Sequence, residues 1–125
     1  PSIPVWLSPT QVRIIPVTKG HLDYAMRVAD NLEKMNIRVD VDDRDETVPK
    51  KVRAAEVSWI PYIVVVGEKE IEKSVISVRT RFDKSLKMMQ IEEFMSDLKR
   101  EMNGYPYHES TLPRMLSTRP GYKTF

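Results

Sequence analysis

The sequence of 125 residues predicts one small domain with three α/β layers. Stretches with strand-like alternation and stretches with helical spacing follow each other as strand, helix, strand, helix, strand, hairpin, helix. Strand–helix–strand connections are right-handed, which places the first three strands in a parallel set with helices over both faces. Apolar residues make up 41% of the chain and charged residues 30%, a balance typical of a soluble globular domain rather than a disordered chain.

The first strand and helix follow a proline-rich lead-in over residues 1–10. Residues 11–17 are rich in β-branched side chains and include Pro16, which cannot donate to a sheet ladder and so marks the end of the strand. Residues 21–35 carry apolar side chains at helical spacing, and Asn36 suits the left-handed backbone at a helix end.

The second strand and helix are separated by an acidic loop over residues 43–47. Residues 37–42 alternate cleanly between apolar and charged side chains, which predicts a strand with one buried face. The following helix begins near Pro49, where a missing N–H has no cost. Its apolar stripe includes Trp59, which we therefore expect in the core.

The second half of the chain opens with an unbroken apolar run over residues 62–67, typical of a strand covered on both faces. Residues 69–81 predict a hairpin that returns beside this strand, and residues 90–103 predict a third helix. The predicted domain therefore spans residues 11–104. Residues 105–125 have no periodicity, and we expect an extended tail that packs on something or stays mobile.

Composition excludes several kinds of active site. Cysteine is absent, which excludes disulfides, thiolate metal sites and cysteine nucleophiles. His21 and His108 are the two histidines, too few for a multi-histidine metal site or a convincing catalytic triad. The four glycines form neither a Rossmann turn nor a P-loop, and Asp40, Asp42 and Asp45 lack the glycine and the closing Glu of a calcium loop. The chain by itself is therefore predicted to be non-catalytic and to hold no metal.

Charge and hydropathy restrict the partners. No apolar run approaches the ~20 residues that a membrane-spanning helix needs, and no signal peptide opens the chain. The net charge of +2 permits an RNA partner without requiring one. The chain begins with Pro1 rather than Met, which suggests a piece of a longer protein.

A binding site is a better prediction than an active site. Arg79 and Arg81 alternate with apolar and small polar residues, so they project from the same face of a strand. Asp45 and Glu70 follow strands of the parallel set, which predicts both carboxylates along the rim at the carboxyl ends. Guanidinium groups donate to base oxygens and carboxylates accept from base amino groups, so such a rim favours unpaired RNA bases over a phosphate. Alternatively, the two arginines are ordinary solvated side chains.

Four segments, in the same order and at the same spacing, resemble the C-terminal anticodon-binding domain of class II threonyl-tRNA synthetases. The similarity extends over about residues 5–103, and the tail is similar to archaeal members of the family. The segments are VWLSPTQV at 5–12, DDRDE at 42–46 followed by KKVR at 50–53, IPYIVVVGEKE at 60–70, and VRTR at 78–81.

The resemblance implies a mixed sheet of about five strands flanked by three helices, attached to a catalytic domain outside this chain. It implies that the domain binds the anticodon stem-loop of threonine tRNA and reads its second and third letters, guanine and uracil. In the family, the positions that match Asp45, Glu70 and Arg79 contact anticodon bases. We expect supporting contacts from four basic residues nearby: Lys51, Arg53, Lys69 and Arg81.

For the whole enzyme, the resemblance implies an ATP-dependent threonine–tRNA ligase, cytoplasmic and homodimeric, that uses Mg and a zinc ion in its catalytic domain. For this chain it implies no cofactor and neither a DNA nor a membrane partner. The mechanism is then binding without chemistry, because the tRNA is positioned here and aminoacylated elsewhere.

The chain departs from the family pattern at Asp45, where bacterial members usually carry asparagine. An ionised carboxylate accepts hydrogen bonds but cannot donate them, so contact with a base amino group is retained and donation to a carbonyl is lost. Phe82 and Asp83 replace the glycine and basic residues that can follow VRTR, which weakens the expectation of a phosphate contact there.

Two alternatives stay open at this point. The first is the anticodon-binding domain of another class II synthetase, for histidine, proline or glycine. The second is a protein-interaction domain of the same fold without RNA binding, whose rim would be apolar rather than mixed in charge.

Overall fold

Five strands form one mixed sheet in this computed structural model, which describes residues 5–80, 85–102 and 113–119 and, at Trp6, the backbone alone. The first strand pairs in parallel with the second and the third, and the fourth runs antiparallel to the third and the fifth. In sequence order they are β1 (Val12–Pro16), β2 (Val39–Val41), β3 (Tyr62–Val66), β4 (Ile76–Thr80) and β5 (Lys87–Met89). Their order in the sheet is β2-β1-β3-β4-β5, so β2 and β5 are the edge strands.

The described residues form four α-helices: α1 (Leu22–Glu33), α2 (Val48–Val57), α3 (Glu68–Lys73) and α4 (Ile91–Met102). Helices α1 and α4 pack on one face of the sheet, and α2 packs on the other. This arrangement confirms the predicted three-layer fold with a mixed sheet of five strands and three longer helices, to which α3 adds a single short helix. None of the described helices has the length and apolar character needed to span a membrane.

The two faces of the sheet bury cores of different size. On the α1–α4 face, apolar side chains from both helices interlock with alternate residues of β1 to β4, and Phe94 and Leu98 of α4 are almost completely buried. On the α2 face, the core is smaller and centres on Ile15, Ile63 and Ala55. Because α2 packs only over β1 and β3 in this core, it leaves polar side chains of β4 beside it.

Several predicted boundaries are confirmed. Asn36 has the positive φ of 62° that fits the left-handed turn after α1. Thr47 caps α2, where its side-chain oxygen accepts a hydrogen bond from the N–H of Lys50 at 3.4 Å, and Pro49 lies in the first turn. Pro16 is the last residue of β1.

Three details differ from the sequence-based expectation. Strand β2 is buried on both faces instead of one. The segment after β3 forms the helix α3 before the chain returns antiparallel in β4, so it is not a simple hairpin. Trp59 is 51% exposed rather than part of the core, because the chain leaves α2 through a left-handed turn at this residue (φ 59°) and Ile60 is buried instead.

The polar face of β2 is buried because it carries an ion pair. Asp40 is fully buried and accepts hydrogen bonds from Nε and Nη2 of Arg13 on β1, at 2.9 and 3.1 Å. Nη1 of Arg119, near the C-terminus, lies 3.1 Å from Oδ2 of the same carboxylate. One carboxylate therefore joins two strands and the C-terminal segment.

Residues 113–119 pack against the free edge of β2. The N–H of Val41 donates to the carbonyl of Arg114 at 3.0 Å, and Met115 forms an isolated parallel bridge with Val41. This part of the predicted tail therefore packs on the domain, while residues 105–112 and 120–125 lie outside the described residues.

Helix α2 also buries a charge. Lys51 is only 4% exposed, and burial lowers the pKa of its ammonium group below 10.5, although Asp42, Asp43 and Asp45 nearby oppose the shift. Within the described residues, no carboxylate forms an ion pair with Lys51 at 4 Å or less. The ammonium group therefore lies close to an acidic loop without touching it.

Replacing Asp40 with Ala is expected to lower the free energy of unfolding by about 3–5 kcal/mol, because Arg13 and Arg119 would keep buried charges without their carboxylate. The control is Asp30→Ala, which removes an exposed ion pair with Arg114 and should cost less than about 1 kcal/mol. Urea unfolding followed by circular dichroism measures both values. Equal losses for the two variants would contradict the role given to Asp40.

The burial of Lys51 predicts a dependence of stability on pH. Because the folded-state pKa lies below the unfolded value of 10.5, the unfolded chain binds more protons between these two values, and stability due to this residue rises with pH in that window. The free energy of unfolding of the wild type relative to Lys51→Met should therefore increase as pH rises toward 10.5. Lys50→Met, at the neighbouring exposed position, is the matched control for the loss of a lysine charge. A constant difference between wild type and Lys51→Met would disprove the inference.

Candidate nucleic-acid interface

The carboxylate of Glu70 is held in a fixed position in the first turn of α3. Its Oε1 accepts a hydrogen bond from the N–H of Gly67 at 2.7 Å, and its Oε2 accepts one from the hydroxyl of Ser77 at 3.0 Å. A Cβ on residue 67 would lie 2.8 Å from a methyl of Val17 and 3.2 Å from Oε1 of Glu70, so glycine is needed for this close approach. Each oxygen of Glu70 keeps further acceptor capacity.

Arg79 projects from β4 on the same face as Ser77. The two residues are two positions apart, so their Cα atoms are about 7 Å apart and their side chains point the same way. Nη2 of Arg79 donates to Oε2 of Glu56 on α2 at 3.1 Å, and the Arg79 side chain stays 17% exposed. The guanidinium group therefore bridges β4 and α2 and keeps N–H groups for a ligand.

Met88 adds an apolar side chain to the same surface. It pairs with Ser77 in the β4–β5 ladder, which places both side chains on one face of the sheet, and it is 45% exposed. We refer to the side chains of Glu70, Ser77, Arg79 and Met88 as the open sheet surface. Sequence analysis missed Met88, because it did not detect the short strand β5 after the VRTR segment.

Asp45 lies at another place, a cavity of about 60 Å³ at the carboxyl ends of β1 and β2. Asp45 is exposed, and its carboxylate makes no hydrogen bond within the part of the chain that the structure describes. The buried Lys51 lies in the same wall. The cavity is lined by Pro16, Val17, Thr18, Lys19, Leu22, Asp43, Arg44, Asp45, Glu46 and Lys51.

The loop that carries Asp45 is ordered by its own charges. Nε and Nη2 of Arg44 both donate to the carboxylate of Asp42 at 2.8 Å, a bidentate pair in which Asp42 is fully buried. The N–H of Glu46 donates to the carbonyl of Arg44 at 2.9 Å. Asp45 is thus presented to solvent on a tight turn.

The structure corrects the predicted single rim. Asp45 and Glu70 do follow the carboxyl ends of β2 and β3, as expected. Because β4 runs antiparallel to β3, Arg79 pairs with Ile63 near the start of β3. This position is about 10 Å along the strand from the carboxyl end of β3, which Glu70 follows. Glu70 contacts Ser77, two residues before Arg79 on β4, whereas Asp45 lies in the wall of the cavity at the ends of β1 and β2.

Three of the four predicted supporting residues lie among the described residues. Arg53 on α2 and Lys69 on α3 are exposed, so both are accessible to a ligand. Lys51 is buried in the cavity wall instead of lying on the outer surface, so any anion that it meets lies inside this cavity. Arg81 lies outside the described residues. Among residues 5–80, 85–102 and 113–119, no group of three or more acidic or histidine side chains is placed to hold a metal ion.

Relatives and solved structures are similar to this chain over most of its length. The threonine–tRNA ligase of Pyrococcus furiosus is 53% identical over 98% of this chain, and that of Pyrobaculum aerophilum is 56% identical over 96%. In both cases the match covers 20% of the relative, so the chain spans about a fifth of their length.

Two solved structures are similar in fold. The RNA binding domain of threonyl-tRNA synthetase from Cryptosporidium parvum superposes with a TM-score of 0.77 and 24% identity, over 84% of this chain and 26% of that one. Prolyl-tRNA synthetase from the same organism has a TM-score of 0.72 and 28% identity, over 79% of this chain and 22% of that one.

The sequence resemblance to archaeal threonyl-tRNA synthetases is confirmed by these relatives, and prolyl-tRNA synthetase shares the fold at much lower identity. The family described as "Anticodon binding domain" matches residues 11–101, which include the whole five-stranded sheet. The chain therefore belongs to the anticodon-binding domain family.

Proposed function

We propose that this chain binds the anticodon loop of threonine tRNA, as part of a threonine–tRNA ligase, and reads its second and third letters. The observation that carries the proposal is the placement of Glu70 and Arg79 on one face, on either side of Ser77. A fixed acceptor that contacts Ser77, and a donor-rich cation two residues further along the same strand, fit the edges of unpaired bases.

Glu70 fits the amino and imino groups of a guanine. Its carboxylate is pre-positioned by Gly67 and Ser77, so little side-chain freedom is lost when a base binds. Guanine presents two kinds of N–H donor on its Watson–Crick edge, and a carboxylate accepts from both. Adenine lacks the imino donor and would leave this acceptor poorly satisfied, which gives selectivity.

Arg79 fits the carbonyl oxygens of guanine or uracil. The guanidinium group has five N–H donors in a planar fork, and the ion pair with Glu56 occupies one of its terminal nitrogens. Each well-placed arginine contact to a base edge discriminates by about 1–3 kcal/mol. Arg79 therefore complements the carboxylate of Glu70 in sign and in hydrogen-bonding role.

Met88 supports this site as an apolar surface for the face of a base. A soft, unbranched thioether adapts its shape to a flat ring, and its 45% exposure leaves area to be covered. The chain carries a net charge of only +2, so phosphate attraction contributes modestly and base contacts must supply the selectivity.

Asp45 provides a second, separate contact point. Because Asp45 lies in the cavity at the ends of β1 and β2, whereas Arg79 pairs with Ile63 near the start of β3, we expect Asp45 and Arg79 to contact different bases. Two separated places for two bases agree with a loop whose anticodon bases are splayed apart.

The properties expected of the whole enzyme are those that the family resemblance implies, and they are part of the same proposal. A threonine–tRNA ligase uses ATP with Mg, and we expect a zinc ion in the catalytic domain, a homodimer and a cytoplasmic location. The role of this chain is to position the tRNA, since the open sheet surface offers hydrogen-bond donors and acceptors for bases. The mixed charge of that surface also favours RNA over the apolar rim of a protein-interaction domain.

Replacing Arg79 with Ala should weaken binding of the threonine anticodon stem-loop by about 1–3 kcal/mol, because donors to a base edge are lost. The variant should also discriminate less against a stem-loop whose second letter, guanine, is replaced by adenine. Fluorescence anisotropy titrations at one fixed salt concentration measure both effects.

The matched control is Arg100→Ala on α4. Arg100 is also an arginine with a neighbouring carboxylate partner, Asp97, but it lies on an exposed helix on the opposite side of the sheet. Arg100→Ala should change the affinity for the stem-loop, and the discrimination against the substituted stem-loop, by much less than Arg79→Ala does. If Arg79→Ala binds all stem-loops as the wild type does, the proposed site is wrong.

A further inference from the structure

The C-terminal segment, residues 113–119, touches the loop that carries Asp45. The N–H of Ser117 donates to Oδ1 of Asp43 at 3.0 Å, and the hydroxyl of Ser117 donates to Oδ2 at 2.7 Å. Both oxygens of the Asp43 carboxylate are therefore held by one residue that is 74 positions away in sequence. We refer to residues 113–119 as the strap.

The strap is itself anchored on rigid parts of the fold. Arg119 reaches the buried carboxylate of Asp40 at 3.1 Å, and its Nε donates to the carbonyl of Pro113 at 2.6 Å. At the other end, Arg114 donates to Asp30 and Glu33 on α1, at 3.0 and 2.7 Å. Ser117 lies between these anchors, so its position is set by strand β2 and helix α1 rather than by the loop that it touches.

The loop depends on this contact because Asp45 has no anchor of its own. The Asp45 carboxylate makes no hydrogen bond among the described residues, so its direction follows the backbone of residues 42–46. Within the loop, Arg44 pairs with Asp42, and from outside the loop Ser117 of the strap holds Asp43. Removing the second pair leaves the contacts within the loop and the hydrogen bond from the N–H of Asp42 to the carbonyl of Ile14 at 2.9 Å, but it releases the Asp43 side chain from the strap.

We propose that Ser117 is a positioning residue for Asp45, and that the strap thereby sets selectivity at the base that Asp45 contacts. The inference rests on the proposed function, because it presupposes that Asp45 reads a base. Ser117 hydrogen-bonds to Asp43, two residues before Asp45 in the sequence, so it acts on Asp45 through the loop rather than through a contact of its own with RNA. Glu70 and Arg79 are positioned by other residues, and their selectivity is independent of the strap.

The test compares two discrimination ratios for the 125-residue chain: affinity for the threonine anticodon stem-loop relative to stem-loops substituted at the second or at the third letter. Asp45→Ala and Arg79→Ala first establish which ratio depends on which residue. Ser117→Ala should then lower the Asp45-dependent ratio by about three- to tenfold, the factor for one lost hydrogen bond, and leave the Arg79-dependent ratio unchanged. Ser117→Thr keeps the hydroxyl and should restore the ratio.

The matched control is Thr118→Ala in the same turn. The hydroxyl that it removes donates to the carbonyl of Met115 and not to Asp43. It should leave both ratios unchanged, and urea unfolding of all variants separates general destabilisation from loss of selectivity. If Asp45→Ala alters a ratio but Ser117→Ala behaves like Thr118→Ala, the role of the strap is disproved and the proposed function stands. If Asp45→Ala alters neither ratio, the assignment of Asp45 and the strap inference both fall, whereas Arg79→Ala still tests the open sheet surface.

Discussion

The arrangement of the domain depends on one buried carboxylate. Asp40 lies on β2, an edge strand that has a sheet partner on one side only, and it binds Arg13 of the neighbouring strand and Arg119 of the strap. Buried ion pairs often add little net stability, because desolvation offsets their attraction, but a misplaced partner leaves a charge unpaired and is costly. The cluster therefore selects one placement of the strap. That placement covers the free edge of β2 and brings Ser117 to the loop that presents Asp45.

Much of the fold was predictable because its longest elements have a clear hydrophobic period. The run of β3 and the helical spacing of α1 each identify one element without reference to the rest of the chain. The errors arise where a distant segment changes the environment. Asp40 was predicted on a solvent-facing side of β2, and nothing in its neighbourhood indicates that Arg119 would cover it. Trp59 fits the stripe of α2, but the helix ends two residues earlier, at Val57, and a left-handed turn at Trp59 directs the ring to solvent.

The binding site was predictable in its residue types and less so in its geometry. The rule that ligands bind at the carboxyl ends of strands holds for parallel neighbours, and it correctly located Asp45 and Glu70. It fails for Arg79, because β4 is antiparallel and its far end lies beside the start of β3. Glu70 is joined to β4 by a hydrogen bond from the hydroxyl of Ser77, a residue that belongs to none of the recognised motifs. Their roles in base contact came from the family resemblance, since residue pattern alone also allowed ordinary surface arginines.

The ion pair between Arg79 and Glu56 is compatible with base binding. Glu56 is 40% exposed at its side chain, and an ion pair in such a position contributes little free energy, so a base that displaced it would meet only a small opposing cost. A base can also bind without displacing Glu56, because this ion pair engages one terminal nitrogen of Arg79 and leaves the other N–H groups of the guanidinium for the base. The carboxylate instead limits where the guanidinium group moves before RNA arrives. Glu70 is held at both carboxylate oxygens, whereas Arg79 is held at one nitrogen. The carboxylate of Glu70 therefore keeps its position when a base binds to it, and the guanidinium group of Arg79 adjusts to that base.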